Sequence, residues 1–378
     1  MSVIPLSLYI HVPWCVRKCP YCDFNSHQQN GELPEAAYVD ALLQDLEQDS
    51  HYIQGRTLHS IFIGGGTPSL FSAAAYDRLL NEIQKQLPFA DDIEITLEAN
   101  PGTFEQEKFS DYRRVGINRL SIGIQSFDAA HLQTLGRIHG RDEALRAADI
   151  ARNAGFDNFN LDLMFGLSGQ STEQALQDLQ LAMNCQPAHL SWYQLTIEPN
   201  TEYFRRPPPL PADDAIAEMQ DAGMALLASQ GFQRYEISAY SQSGKPSRHN
   251  LNYWEFGDYL GIGAGAHGKI TVPQADGISI VRTRKTRMPQ HYLDAARSFT
   301  AETKPVPAVE LPLEFMMNAL RLSNGVETEL FQPRTGLPLS TIDASLQQLR
   351  QRQLLQATRI APTPLGLQFL NEVLLEFM

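Results

Sequence analysis

The chain has 378 residues, more than one hydrophobic core usually organises, so a large domain with a smaller module is expected. Apolar residues make up 43% and charged residues 19%, an ordinary globular balance that excludes long disordered or collagen-like stretches. The formal charge of -13 argues against broad electrostatic binding of nucleic acid or anionic lipid, and no nucleic-acid partner is expected.

In chain order, residues 1–8 carry no basic region followed by an apolar run. No later segment is long enough to cross a bilayer, which points to the cytoplasm. Short apolar, β-branched runs then alternate with amphipathic patterns, the signature of repeated βα units around a parallel sheet. The strand candidates are 6–12, 60–63, 93–98, 119–124, 158–165, 189–197 and 234–238. Between them Val39, Leu42, Leu43 and Leu46 follow helical spacing, as do Tyr76, Leu79, Leu80, Ile83 and Leu87. Ser171 and Gln174 read as a capping box ahead of Leu176 and Leu179. The pattern predicts an α/β fold, a partial TIM-like barrel of about six strands over 1–240, with functional residues at the carboxyl ends of the strands.

After Tyr240 the rhythm breaks into a Gly- and aromatic-rich stretch, and 241–305 is expected as an appended segment. Its glycine run, Gly261 to Gly268, lacks the helix and acidic residue of a dinucleotide site and reads as a tight turn near the barrel mouth. Arg282, Arg284, Lys285 and Arg287 form a dense basic group, either a solvated strand or loop, or a phosphate or propionate site. From 306 to 378 three helical stripes predict a small helical, winged-helix-like domain. The first has Pro312 in its first turn and Leu313, Met316, Met317 and Leu320 along it. Ile342, Leu346 and Leu349 form the second. The third starts at Thr363-Pro364 and carries Leu370, Val373 and Leu374.

Four cysteines are too few for a disulfide scaffold, and Cys15, Cys19 and Cys22 fall in one short loop after the first strand. Their C-x3-C-x2-C spacing lets each thiolate reach a different iron of one [4Fe-4S] cubane and leaves the fourth iron open. An open iron can chelate the amino and carboxylate groups of S-adenosylmethionine (SAM). The alternative is a structural zinc loop, which needs a fourth ligand at matching spacing. Cys185 has no partner motif and reads as a buried structural thiol.

With Tyr21 before the last cysteine and the Gly64-Gly65-Gly66-Thr67-Pro68 turn after the second strand, the chain resembles the radical SAM superfamily. Within it the resemblance is to the coproporphyrinogen dehydrogenase family and its relatives, and it spans nearly the whole chain. The resemblance implies that Tyr9 lies against the SAM sulfonium and that Gly65, Gly66 and Thr67 hold its methionine part. It further implies that Glu98 contacts SAM, that Gln125 reaches the ribose, and that Arg137 and Asp162 complete the site.

That family holds two branches, an oxygen-independent coproporphyrinogen III decarboxylase and a haem chaperone that passes haem to haem proteins. Three departures favour the chaperone. Phe24 stands where the dehydrogenase branch carries a further cysteine; the dehydrogenase's long N-terminal extension has no counterpart ahead of Cys15; and His249-Asn250-Leu251-Asn252-Tyr253-Trp254 matches the chaperone's H-N-x-x-Y-W pattern. The resemblance implies haem binding at His249, with Tyr253 and Trp254 offering apolar faces to the macrocycle. Read without the family, His249 is better taken as a hydrogen-bonded structural histidine in an aromatic cluster, and His267 is a second candidate haem ligand. The implied recipients are membrane-bound respiratory cytochromes, reached through peripheral membrane contact; a homodimer stays open.

Overall fold

Six strands follow one another in the βα order that the apolar runs predict: β1 (Leu6–Val12), β2 (Leu58–Gly65), β3 (Phe89–Ala99), β4 (Arg119–Gln125), β5 (Phe159–Phe165) and β6 (His189–Gln194). Each pairs in parallel with the next. The computed structural model describes residues 4–102, 106–275 and 277–378; the first three residues of the stretch 1–8 lie outside them. β1 buries every residue except the half-buried Tyr9, as expected of a parallel strand covered on both faces.

The helices between the strands turn their apolar stripes inward. α1 (Glu35–Gln48) buries Val39, Leu42 and Leu46, and α2 (Ala73–Gln86) buries Tyr76, Leu79, Leu80 and Ile83. α3 (Thr172–Asn184) starts at the capping box expected from sequence. The Ser171 hydroxyl accepts from the Gln174 amide at 3.3 Å, and the Gln174 side chain accepts from the Ser171 amide at 2.9 Å.

The stretch 234–238 does not add a βα unit. It splits into β7 (Gln233–Glu236) and β8 (Ala239–Ser241), an antiparallel pair on the edge of β6. So short a turn cannot make the crossover that parallel pairing needs.

The Gly- and aromatic-rich stretch is built into the same sheet. After α4 (Arg248–Trp254), β9 (Asp258–Ile262) lies parallel to β1 on the side away from β2. β10 (His267–Gln274), β11 (Gly277–Lys285) and β12 (Thr300–Pro305) extend it antiparallel. Among the described residues the sheet has twelve strands in the order β12-β11-β10-β9-β1-β2-β3-β4-β5-β6-β8-β7 and stays open, a partial barrel. Buried ion pairs tie the added strands to the rest. Asp258 pairs with Arg56 at 2.7 Å and Lys269 at 2.9 Å, and Lys285 with Asp45 at 2.6 Å and Asp49 at 2.7 Å. Charged residues inside strands hide the strand pattern from sequence, because their burial depends on partners far along the chain.

Residues beyond 306 form helices Leu311–Ala319, Phe331–Thr335 and Asp343–Gln351 with a two-stranded ribbon, Val326–Glu327 against Arg359–Ile360. Phe315, Met316, Leu320, Leu346, Leu349 and Val373 share one core. Met317, expected in that stripe, is 53% exposed, because neighbours on a helix point about 100° apart and Met316 takes the inward position. The third stripe breaks at Phe369 into two short helices, Pro364–Gln368 and Leu370–Leu375. Among the described residues no helix is long and apolar enough to cross a membrane.

Candidate functional site

At the carboxyl end of β1 the chain bridges Trp14–Cys15 to His27–Gln28 and holds the cysteine loop between them. The Cys22 amide donates to the Cys19 carbonyl at 3.1 Å, and Asn25 pins the loop by donating to the carbonyls of Ala264 and Arg287, both at 2.8 Å. Cys15, Cys19 and Cys22 border a cavity of about 340 Å³ whose other walls include Gly65, Gly66, Thr67, Glu98, Gln125, Arg137 and Asp162. Residues from the loop after β1 and from β2 to β5 thus meet at one mouth, as strand ends and their loops do in a barrel.

The glycine turn has a reason inside the protein before any ligand is considered. Gly65 sits at φ +117°, where a side chain would be strained, and a Cβ there would come 2.6 Å from the His11 ring. A Cβ at Gly66 would come 2.5 Å from the Trp14 carbonyl oxygen. The glycines therefore let the turn pack under the cysteine loop. Thr67 accepts from the Asn100 amide at 3.2 Å.

Glu98 and Asp162 share the cavity as a pair of acids. Burial, then repulsion from Asp162, pushes the Glu98 carboxyl up to about 8, although the Gly65 amide donates to it at 3.0 Å. Burial also raises Asp162, against hydrogen bonds from Ser121 at 3.0 Å and Asn160 at 2.7 Å. Two acids facing one cavity suit a cationic ligand, such as the ammonium and sulfonium of SAM. Arg137 donates to the Asn100 side chain at 2.6 Å and to the Gly123 carbonyl at 2.7 Å, with its Nη1 3.7 Å from the Cys19 sulfur. Among the described residues its buried Nε has no partner and can serve an anionic group. Gln125 holds φ +68°, a conformation unusual for a non-glycine residue, and accepts from the Tyr193 hydroxyl at 2.9 Å.

Burial pushes the Cys15 thiol up to about 11 and raises Cys22, so iron would have to displace protons to bind them. Among the described residues no three His, Cys, Asp or Glu side chains close on a single-ion geometry; a cubane asks for none, since each thiolate binds a different iron. The donor set fits a three-cysteine cluster with SAM beside it. Asn100, Ser121, Ser191 and Tyr193 also line the cavity. No sequence motif singles these out: Asn100 follows β3, Ser121 lies within β4, and Ser191 and Tyr193 lie within β6.

A second cavity of about 600 Å³ adjoins the first, sharing Phe24, Gly65 and Glu98. Tyr9, Tyr253 and Tyr259 supply aromatic wall, and His11, His267, Arg284 and Arg287 supply nitrogen donors. Tyr9 faces this cavity, its hydroxyl 3.0 Å from His11 Nδ1.

His249 lines neither cavity. It is 0% exposed, with Nδ1 3.0 Å from the Ser60 hydroxyl and Nε2 2.8 Å from the Tyr253 hydroxyl. Burial, helped by Arg119, brings its pKa down to about 3. Its motif partners Tyr253 and Trp254 diverge: Tyr253 reaches the second cavity, while Trp254 packs under the Arg321 guanidinium, 4.3 Å from the ring centre.

His267, at the start of β10, is exposed, and burial of part of its ring and the charges of Arg284, Arg282 and Arg287 lower its pKa. The basic group of the sequence disperses. Lys285 turns into the core, Arg282 donates to the Tyr259 hydroxyl at 2.9 Å, and Arg284 and Arg287 face the second cavity. Cys185 is buried outside both cavities, its thiol pushed up to about 11 by burial.

The radical SAM superfamily model matches residues 9–182, and the HemN C-terminal domain model matches 306–369. A heme chaperone HemW of Haemophilus influenzae is 52% identical over 382 residues, covering 99% of this chain and 98% of that protein. The HemW of Escherichia coli is 54% identical over 333 residues, 88% and 87% of the two chains, and that of Bacillus subtilis 34% over 364 residues, 94% of each. The solved structure of E. coli coproporphyrinogen III oxidase, HemN, superposes with a TM-score of 0.82 at 21% identity, covering 99% of this chain and 90% of that one, a likeness of fold.

Proposed function

Because the chain belongs to the radical SAM superfamily and, within it, to the HemW family, we propose that it is a haem chaperone that binds haem and delivers it to haem proteins. Cys15, Cys19 and Cys22 would hold a [4Fe-4S] cluster. Gly65, Gly66, Thr67, Glu98, Gln125, Arg137 and Asp162 would surround SAM, with Tyr9 at the border of the second cavity. Such a cluster with SAM supplies one-electron cleavage of a C–S bond when both are bound. The protein's own groups set that ligand's surroundings: Glu98 and Asp162 face its positive charge, and Arg137 offers an N–H that has no partner among the described residues.

The near-full-length likeness to haem chaperones carries the reading. Phe24 supports it from the site itself. It is 60% exposed on the wall common to both cavities, where the decarboxylase branch places a thiol, and a phenyl ring can neither donate a proton nor ligate. In this reading the protein works in the cytoplasm and meets respiratory cytochromes by peripheral contact with the membrane.

The test is a haem titration of the anaerobically reconstituted protein followed by visible absorption, with transfer to an apo-cytochrome measured alongside. Coproporphyrinogen III is offered to the same preparation. Haem uptake and transfer without formation of protoporphyrinogen IX is expected. Repeated turnover of the decarboxylation, or no haem uptake, sinks the proposal.

A further inference from the structure

Two cavities compete for a large flat ligand. The larger, about 1110 Å³, opens among Ile4, Arg56, His59, Pro273, Pro333 and Leu339, toward the amino ends of β1 and β2 and against the C-terminal helices. Its cation, Arg56, is already spent on Asp258 at 2.7 Å. The second cavity, about 600 Å³, lies at the carboxyl ends beside the cluster loop, within the roughly 300–1,000 Å³ typical of small-ligand sites.

The histidines at this mouth differ in what their nitrogens are doing. His11 has both engaged, Nδ1 with the Tyr9 hydroxyl at 3.0 Å and Nε2 with the Asn25 carbonyl at 2.9 Å. His249 has both engaged as well and is fully enclosed. His267 is exposed on the cavity wall, and among the described residues its ring makes no hydrogen bond. An axial ligand must present an uncommitted imidazole nitrogen to iron.

The cations are placed to match. Arg284 lies directly across the antiparallel ladder from His267, and Arg287 is exposed in the bend just past the end of the same strand. Among the described residues the buried Arg284 Nε has no partner, and its ion pair with Glu302 at 3.2 Å is half-exposed and easily exchanged. Tyr9, Tyr253 and Tyr259 give the cavity aromatic surface, and Phe24 stands 60% exposed at its edge. One uncommitted imidazole, two neighbouring guanidinium groups and an aromatic wall answer the iron, the carboxylates and the ring of one molecule.

Resting on the haem reading above, we propose that haem docks in this second cavity with His267 as the axial ligand and Arg284 and Arg287 holding its propionates. Haem and SAM would then be neighbours across Phe24, Gly65 and Glu98.

The experiment uses the anaerobically reconstituted full chain, titrated with haem and with haem dimethyl ester, in the parent and in His267→Ala, Arg284→Ala/Arg287→Ala, His249→Ala and His59→Ala. If the parent binds no haem, the haem reading fails. If it binds, His267→Ala is expected to shift the Soret band and weaken haem at least about tenfold, with added imidazole restoring the parental spectrum. The double arginine variant is expected to lose the preference for haem over its ester. His59→Ala should bind as the parent does, and His249→Ala should keep the parental Soret position. A parental spectrum and affinity in His267→Ala, an unchanged ester preference in the arginine variant, or loss confined to His59→Ala or His249→Ala would overturn the assignment while leaving haem binding standing.

Discussion

His249 Nε2 lies 2.8 Å from the hydroxyl of Tyr253, one helical turn further along α4, and the two rings meet edge to face with centres 4.7 Å apart. With Nδ1 on Ser60, the imidazole bridges β2 to α4 and fixes the tyrosine that walls the second cavity. Within the H-N-x-x-Y-W motif, the histidine positions and the tyrosine presents.

Removing that bridge should cost stability. In His249→Ala the Ser60 and Tyr253 hydroxyls lose a buried partner and a cavity opens, together about 2–4 kcal/mol. Urea denaturation of the apoprotein checks this; a loss below about 0.5 kcal/mol would contradict a buried bridging role. Tyr253→Phe keeps the ring and should lose less.

The same burial gives an acid limb to the stability curve. His249 is held neutral to about 3 and His11 to about 4, against an ordinary value of 6.5. Between those values the unfolded chain binds protons that the folded one refuses. Their contribution is therefore complete above pH 6.5 and is lost as the pH falls toward 3. Chemical denaturation from pH 7 to 4 should show stability falling, and His249→Gln should flatten the slope.

Glu98 acts in the opposite direction. Its carboxyl is pushed up to about 8, so folding favours the protonated form, and stability is lost as the pH rises from about 4.5 through 8. Glu98→Gln should stabilise the apoprotein at pH 8.5 relative to the parent, by roughly 1 kcal/mol or more, one pKa unit being worth about 1.4 kcal/mol. It should also weaken SAM binding in isothermal titration. A variant that binds SAM as the parent does would contradict the role given to this acid.

The cysteines separate by position. Serine at Cys15, Cys19 or Cys22 is expected to abolish the four-iron chromophore, and Cys185→Ser to retain it, since Cys185 lies outside both cavities. Iron and sulfide analysis after anaerobic reconstitution decides this. A full iron complement in Cys19→Ser would refute the ligand assignment.

Lys285 tests the junction between the added strands and the barrel. Lys285→Met leaves Asp45 and Asp49 buried without their cation, which should cost about 3–5 kcal/mol. A change under about 1 kcal/mol by urea denaturation would mean that β11 is not anchored there.

What the sequence by itself determined was local in origin. The three-cysteine loop, the order of the first six strands and the Ser171–Gln174 capping box follow from spacing within a few residues, which side-chain period and cap chemistry encode directly. Tertiary structure alone decided what distant partners control. β9 to β12 join the sheet because Lys269 and Lys285 are neutralised in the interior, and Lys285 meets Asp49 from 236 residues away. His249 and His267 are indistinguishable as imidazoles in the sequence. One is sealed between Ser60 and Tyr253 and the other stands open beside Arg284 because burial depends on how β2, α4, β10 and β11 pack, and chain spacing cannot report that.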